Sequence, residues 1–155
     1  MALIVRNPAT LFDMAEMGGA GTRTGWMIAR EMWRGGETFA LQDGDQLIGL
    51  FGLYPIEGGA EAWFNVRPDA GRHMGFIIRQ IRLTLVSRDY PEIVVLCTSQ
   101  AGRTIARRLG FRFVQTVEYG EIWHGEFARR RQQNCGQGER AGEAERGTAA
   151  TPYAG

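Results

Sequence analysis

Between Val66 and Ile77 an apolar strand pattern gives way to a helix start, and Gly71, Arg72, His73 and Gly75 fall at the junction. Free backbone N–H groups at a helix start, together with the positive end of the helix dipole, suit a pyrophosphate. Glycines there let an anion come close to the backbone, and Arg72 would add a charge-assisted hydrogen bond. Taken alone, the segment is a weak phosphate-loop signal. Arg103 and Arg107, one helical turn apart, are further partners for phosphates, although solvation is the commoner fate of any single surface arginine.

Other chemistries find less support. The two histidines and two cysteines have no ligand spacing, and no pair of carboxylates stands out, so no metal site is expected. The only serines are Ser87 and Ser99, and no Gly-x-Ser-x-Gly elbow is present. Cys97 sits in an apolar run and Cys135 in a polar one, so no disulfide is expected between them and a reducing, cytoplasmic setting is the simplest reading. Eighteen basic against seventeen acidic residues leave a formal charge of +1, which provides no overall field to attract nucleic acid or an anionic membrane. All the basic residues apart from histidine are arginines, planar forks suited to phosphate or carboxylate. No stretch approaches the roughly 20 apolar residues of a spanning helix.

The elements that must position these groups can be read from periodicity. The 155 residues fit one domain, 1–129, followed by a tail, 130–155, expected to be disordered: residues 132–155 contain no Ile, Leu, Val, Met, Phe or Trp. Residues 3–6 read as a strand. Thr10 offers a cap to a short helix carrying Leu11, Phe12, Met14 and Met17, and Thr22 or Thr24 caps a second helix that ends at Gly35 and Gly36. From Glu37 the period becomes two. Asp43, Gly44 and Asp45 mark a hairpin, and the third strand of the resulting meander places Glu61, Trp63 and Asn65 on one face and Ala62, Phe64 and Val66 on the other.

A long helix then opens at residues 68–71, with Met74, Ile77, Ile78, Ile81 and Leu85 inward. Residues 92–97 read as a strand buried on both faces and parallel to its neighbour. A fourth helix turns Ala101, Ile105 and Leu109 inward and Arg103 and Arg107 outward. Residues 111–117 and 122–127 form a closing hairpin.

This order, together with the run from Ser99 to Phe111 that closes on Leu109, Gly110 and Phe111, resembles the GNAT superfamily of acetyl-CoA-dependent N-acyltransferases. The resemblance implies an α/β (α+β) fold with a mixed sheet of six or seven strands flanked by about four helices. It also implies acetyl-CoA as cofactor: phosphates at Gly71, Arg72, His73 and Gly75, with Arg103 and Arg107 nearby, and pantetheine and thioester along the backbone of Asn65 and Val66. Glu61 is then the expected catalytic base, with Tyr119 as a second catalytic group and His124 in reserve; a rim glutamate and a half-buried structural histidine are the plainer readings. The sequence departs from the family pattern at Ile77, where a small residue is usual, at Ala106, where many relatives carry a tyrosine acid, and at Ser99, where asparagine is frequent.

Residues 37–127 also resemble a GNAT-like group of phages and prophages that includes internal virion proteins, through Glu61 to Phe64, Arg79 to Pro91, and Ala106 to Phe113. Two leading expectations follow. One is an acetyltransferase acting on a small-molecule or protein amine. The other is a fold retained for virion assembly or DNA ejection, with virion proteins as partners. A nucleic-acid module built on the later arginines is disfavoured by the charge balance and by the lack of interleaved aromatics. A homodimer stays open.

Overall fold

The computed structural model describes residues 2–128. The expected tail, 130–155, lies outside the described residues. Strand β1 (Leu3–Arg6) is followed by α1 (Leu11–Met14), which Thr10 and Asp13 start reciprocally: the Asp13 N–H donates to Thr10 Oγ1 at 3.1 Å and the Thr10 N–H to Asp13 Oδ2 at 2.7 Å. Arg6 Nη2 donates to the same carboxylate at 2.5 Å. Burial works to raise the Asp13 pKa, but the Thr10 hydrogen bonds and the Arg6 guanidinium outweigh it and hold the carboxyl below its ordinary value. The helix widens into a π-turn, Ala15–Gly19, that breaks where Gly18 takes φ 131°. Helix α2 (Arg23–Gly35) follows, and Thr22 is the cap, its Oγ1 accepting from the Gly25 N–H at 3.0 Å.

Strands β2 (Glu37–Asp43), β3 (Gln46–Ile56) and β4 (Gly59–Val66) form the meander, turned first at Gly44 with φ 59°. The chain continues through α3 (Met74–Ser87), β5 (Glu92–Cys97), α4 (Gln100–Leu109), β6 (Arg112–Val117) and β7 (Gly120–Gly125). One seven-stranded sheet results, in the order β1-β2-β3-β4-β5-β7-β6, and β4–β5 is its parallel pair. The larger apolar core lies beneath α3 and α4, around Phe51, Ile77, Ile81, Ile93 and Leu109; a smaller one beneath α1 and α2 joins Met14, Met17, Ala40, Leu47 and Leu50. Among the described residues no helix is long and apolar enough to cross a membrane.

Three sequence expectations change. The long helix does not open at residues 68–71: a 3-10 turn, Ala70–His73, precedes α3, and the tighter turn uncouples the glycine segment from the helix axis. Strand β5 is buried on one face only, with Ile93, Val95 and Cys97 inward and Glu92 and Leu96 exposed. The α3–α4 layer covers one side of it, while α1 and α2 pack instead on β2 and β3, so the apolar run overstated its burial. In α4 the inward stripe is Ile105, Ala106 and Leu109, and Ala101 is exposed in the first turn.

Candidate functional site

Strands β4 and β5 pair only at Gly59 with Glu92, Ala60 with Ile93 and Glu61 with Val94. Beyond Glu61 they diverge, while β4 stays paired with β3 up to Val66. The Arg67 N–H donates to the Ile48 carbonyl at 3.1 Å, which fixes the phase of that antiparallel ladder. By its alternation the backbone groups of Glu61, Trp63 and Asn65 face β3, and those of Ala62, Phe64 and Val66 face β5. Past the fork the N–H and C=O groups of Phe64 and Val66 therefore point into a gap in the sheet.

Two cavities open on this gap from opposite faces. On the α3–α4 face, about 270 Å³ is enclosed by Phe64, Val66, Pro68, Gly71, Ala101 and Ile105 with their neighbours. On the α1–α2 face, about 580 Å³ is lined by Met14, Met17, Ile28, Met32, Trp63 and Thr98, among others. Asn65 borders both. Its Nδ2 donates to the Met17 carbonyl, tying β4 to the π-turn, and Gly18 is the residue against which that amide packs.

The expected cofactor residues divide. Asn65, Val66 and Gly71 line the smaller cavity, and a Cβ added at Gly71 or Gly75 would meet nothing, so the turn has room beside it. Neither Asp69 nor His73 supplies a side-chain cap; the Ala70 N–H donates to the Arg67 carbonyl at 3.0 Å and the Met74 N–H to the Gly71 carbonyl. The side chains of Arg72 and His73 turn instead toward the β2–β3 hairpin: His73 Nε2 is 3.2 Å and Arg72 Nη2 3.6 Å from Asp43 Oδ2. Arg103 Nε donates to Gln100 Oε1 at 3.3 Å and lies 3.9 Å from Glu121, while Arg107 stacks over the Trp123 ring at 5.7 Å. Neither arginine lines either of these two cavities.

The acid–base candidates are also separated. Glu61 stands at the fork as the last residue of β4 paired with β5, half-buried on the Trp63–Asn65 face and opposite Tyr54. Tyr54 Oη donates to Glu31 Oε1 at 2.9 Å, and that bond, with the negative charge behind it, raises the tyrosine pKa. Tyr119 is 74% exposed in the last hairpin, and His124 lies across Val94 from Glu61. Ala106 is fully buried in α4, and Ser99 spends its oxygen capping that helix, accepting from the Gly102 N–H at 3.0 Å. The Cys97 thiol is pushed up in pKa by burial, reinforced by the nearby Glu121 charge, so it is no ready nucleophile.

Sequence spacing missed three things. The inward backbone of Phe64 needed the ladder's phase. The methionine-walled cavity needed the placement of α1 and α2 on the sheet. The cluster of Glu92, His124 and Glu126, whose ligand-capable atoms lie within 4.8 Å of one another, needed the β5–β7 register.

No protein-family model and no curated protein matches the sequence. Solved structures do. A GNAT family acetyltransferase from Elizabethkingia anophelis with acetyl-CoA bound aligns at TM-score 0.60 and 13% identity, covering 80% of this chain and 97% of its own. The PaiA N-acetyltransferase of Thermoplasma acidophilum, in complex with coenzyme A, aligns at 0.60 and 14%, covering 81% and 99%. A dodecameric spermidine N-acetyltransferase from Vibrio cholerae aligns at 0.58 and 12%, covering 84% and 97%. The chain has the GNAT acetyltransferase fold. The mixed seven-stranded sheet, with β4 and β5 parallel, agrees with the fold that the sequence resemblance implied.

Proposed function

We propose that this protein is an acetyl-CoA-dependent N-acyltransferase acting on an amine. One observation carries the reading: the sheet opens after Glu61, and the backbone groups of Phe64 and Val66 face a gap where two cavities meet at Asn65. The residues present fit the donor. The 3-10 turn has no side-chain cap and leaves open space at Gly71 for phosphates, and the gap offers ladder-competent backbone to an amide-bearing arm. When bound, acetyl-CoA supplies an activated acyl carbon and a thiolate leaving group. The N–H groups of Phe64 and Val66 would hold a carbonyl oxygen as negative charge grows on it, and Glu61, the last residue of β4 paired with β5, is the proposed base. Two of the similar structures carry acetyl-CoA or coenzyme A, which supports the same donor here. The phage and virion expectation gains nothing from these neighbours, which are acetyltransferases.

Thermal unfolding of the whole chain with and without millimolar acetyl-CoA tests the proposal. A ligand at about 100 times its Kd adds about 2.7 kcal/mol to the folded state, a shift that is easily seen. Ala101→Trp, at an exposed position on the smaller cavity, should abolish the rise while leaving the melting temperature of the free protein nearly unchanged. Absence of any rise in the unsubstituted protein refutes the acyltransferase reading.

A further inference from the structure

The larger cavity is walled by Met14, Met17, Met32, Ile28, Ala29, Leu50 and Trp63; its polar side-chain groups are the amide of Asn65, the hydroxyl of Thr98 and the Trp63 indole N–H, a buried donor without a partner among the described residues. Among the described residues that line it there is no carboxylate and no cationic group. A polyamine needs carboxylates to offset the loss of water around each ammonium, and this chamber provides none. An apolar body fits it well, since unbranched methionines adapt to flat or branched carbon frames and the indole of Trp63 offers an aromatic edge. Asn65 lines both this chamber and the cavity on the other face, so a molecule held here sits beside the β4 segment that carries Phe64 and Val66.

We infer that the acceptor is a monoamine on an apolar or aromatic body, and that the chamber admits it in its neutral form. This deepens the acyltransferase reading and rests on it. Desolvation in an uncharged, apolar wall disfavours the ammonium and favours the free amine, the form that has a lone pair for attack. An amine that arrives neutral needs no residue to strip its first proton. On acylation the N–C bond forms and the C–S bond breaks; the proton lost by nitrogen equals the one taken up by sulfur, so atoms and charge balance without a protein acid. That accounts for a chamber with no ionisable side chain among the described residues that line it.

The test measures binding without cofactor, so that it fails or holds separately from acyl transfer. 2-Phenylethylamine and spermidine are titrated into the full chain by calorimetry between pH 7 and pH 9. Below an amine pKa of about 10, each pH unit raises the neutral fraction tenfold, so the apparent affinity for 2-phenylethylamine should rise about tenfold per unit. Spermidine should bind far more weakly throughout. Ile28→Asp, at a position 55% exposed and so tolerant of the change, puts a carboxylate in the wall and should flatten the pH dependence and improve spermidine binding about tenfold. Thr98→Asp is a second exposed position for the same purpose. Spermidine binding as tightly as 2-phenylethylamine, or 2-phenylethylamine affinity independent of pH, overturns the inference. If the pH-dependent binding holds while acetyl-CoA gives no thermal shift, the chamber assignment stands and the acyltransferase reading falls.

Discussion

The two faces of the sheet are built to different standards. Beneath α3 and α4 the side chains of Ile77, Ile81, Leu85, Ile93 and Leu109 are sealed to 2% exposure or less, and Phe111 and Phe127 close the end of the core edge to face at 5.0 Å. On the other face α2 contributes no fully buried residue; Trp26, Ala29, Met32 and Trp33 only half-cover the small cluster around Leu47 and Leu50. Under the acyltransferase reading, the first face would present the Gly71 turn and the β4 edge to a cofactor of constant shape. The second leaves a chamber whose walls can shift, which suits the partner that varies between enzymes of one fold.

Truncating a sealed residue should separate the faces most sharply. Leu109→Ala is expected to cost about 2–5 kcal/mol, and Met32→Ala on α2 about 1 kcal/mol, both read from urea unfolding. Equal costs would mean that α2 is as well packed as α4. Gly52→Ala probes the boundary: its Cβ would lie 2.5 Å from the Glu37 carbonyl oxygen and 2.6 Å from the Trp63 indole. Overpacking of about 1–3 kcal/mol should follow, and because Trp63 walls the chamber, amine binding should weaken while the acetyl-CoA thermal shift is retained.

A smaller effect is expected at Asp13. Its folded pKa is depressed, so the stability it contributes is present above the unfolded value near 3.8 and is lost as pH falls through the folded one. Asp13→Asn should remove that acid-side slope from the stability profile and, with the capping contact weakened, cost about 1 kcal/mol at neutral pH.

How much of this was legible depended on whether the signal was local. Caps at Thr10 and Thr22, the turn at Gly44 and the face shared by Glu61, Trp63 and Asn65 were readable because each is set within a few residues. The fold followed from their order. The site was only partly legible. Arg72 and His73 look like phosphate ligands in sequence, yet Asp43, some thirty residues earlier, takes both side chains once the hairpin packs against the turn. Arg103 and Arg107 are drawn aside by Glu121 and Trp123 in the same way. Asn65 reads as a backbone ligand, but the ladder turns its backbone to β3 and leaves its side chain at the junction of the cavities. The chamber was illegible because methionines and alanines from α1 and α2 form it only after the helices settle on the sheet.

The fork after Glu61 also leaves a mark that deuterium can read. Amides in the interior of a seven-stranded sheet ordinarily exchange slowly, yet those of Phe64 and Val66 have no strand across from them. They should exchange at loop-like rates while Trp63 and Asn65, their chain neighbours bonded to β3, stay protected, so the free protein carries an alternating seam through the middle of its sheet. A donor that completes the missing strand would darken that seam residue by residue, reporting occupancy without any acceptor or any turnover.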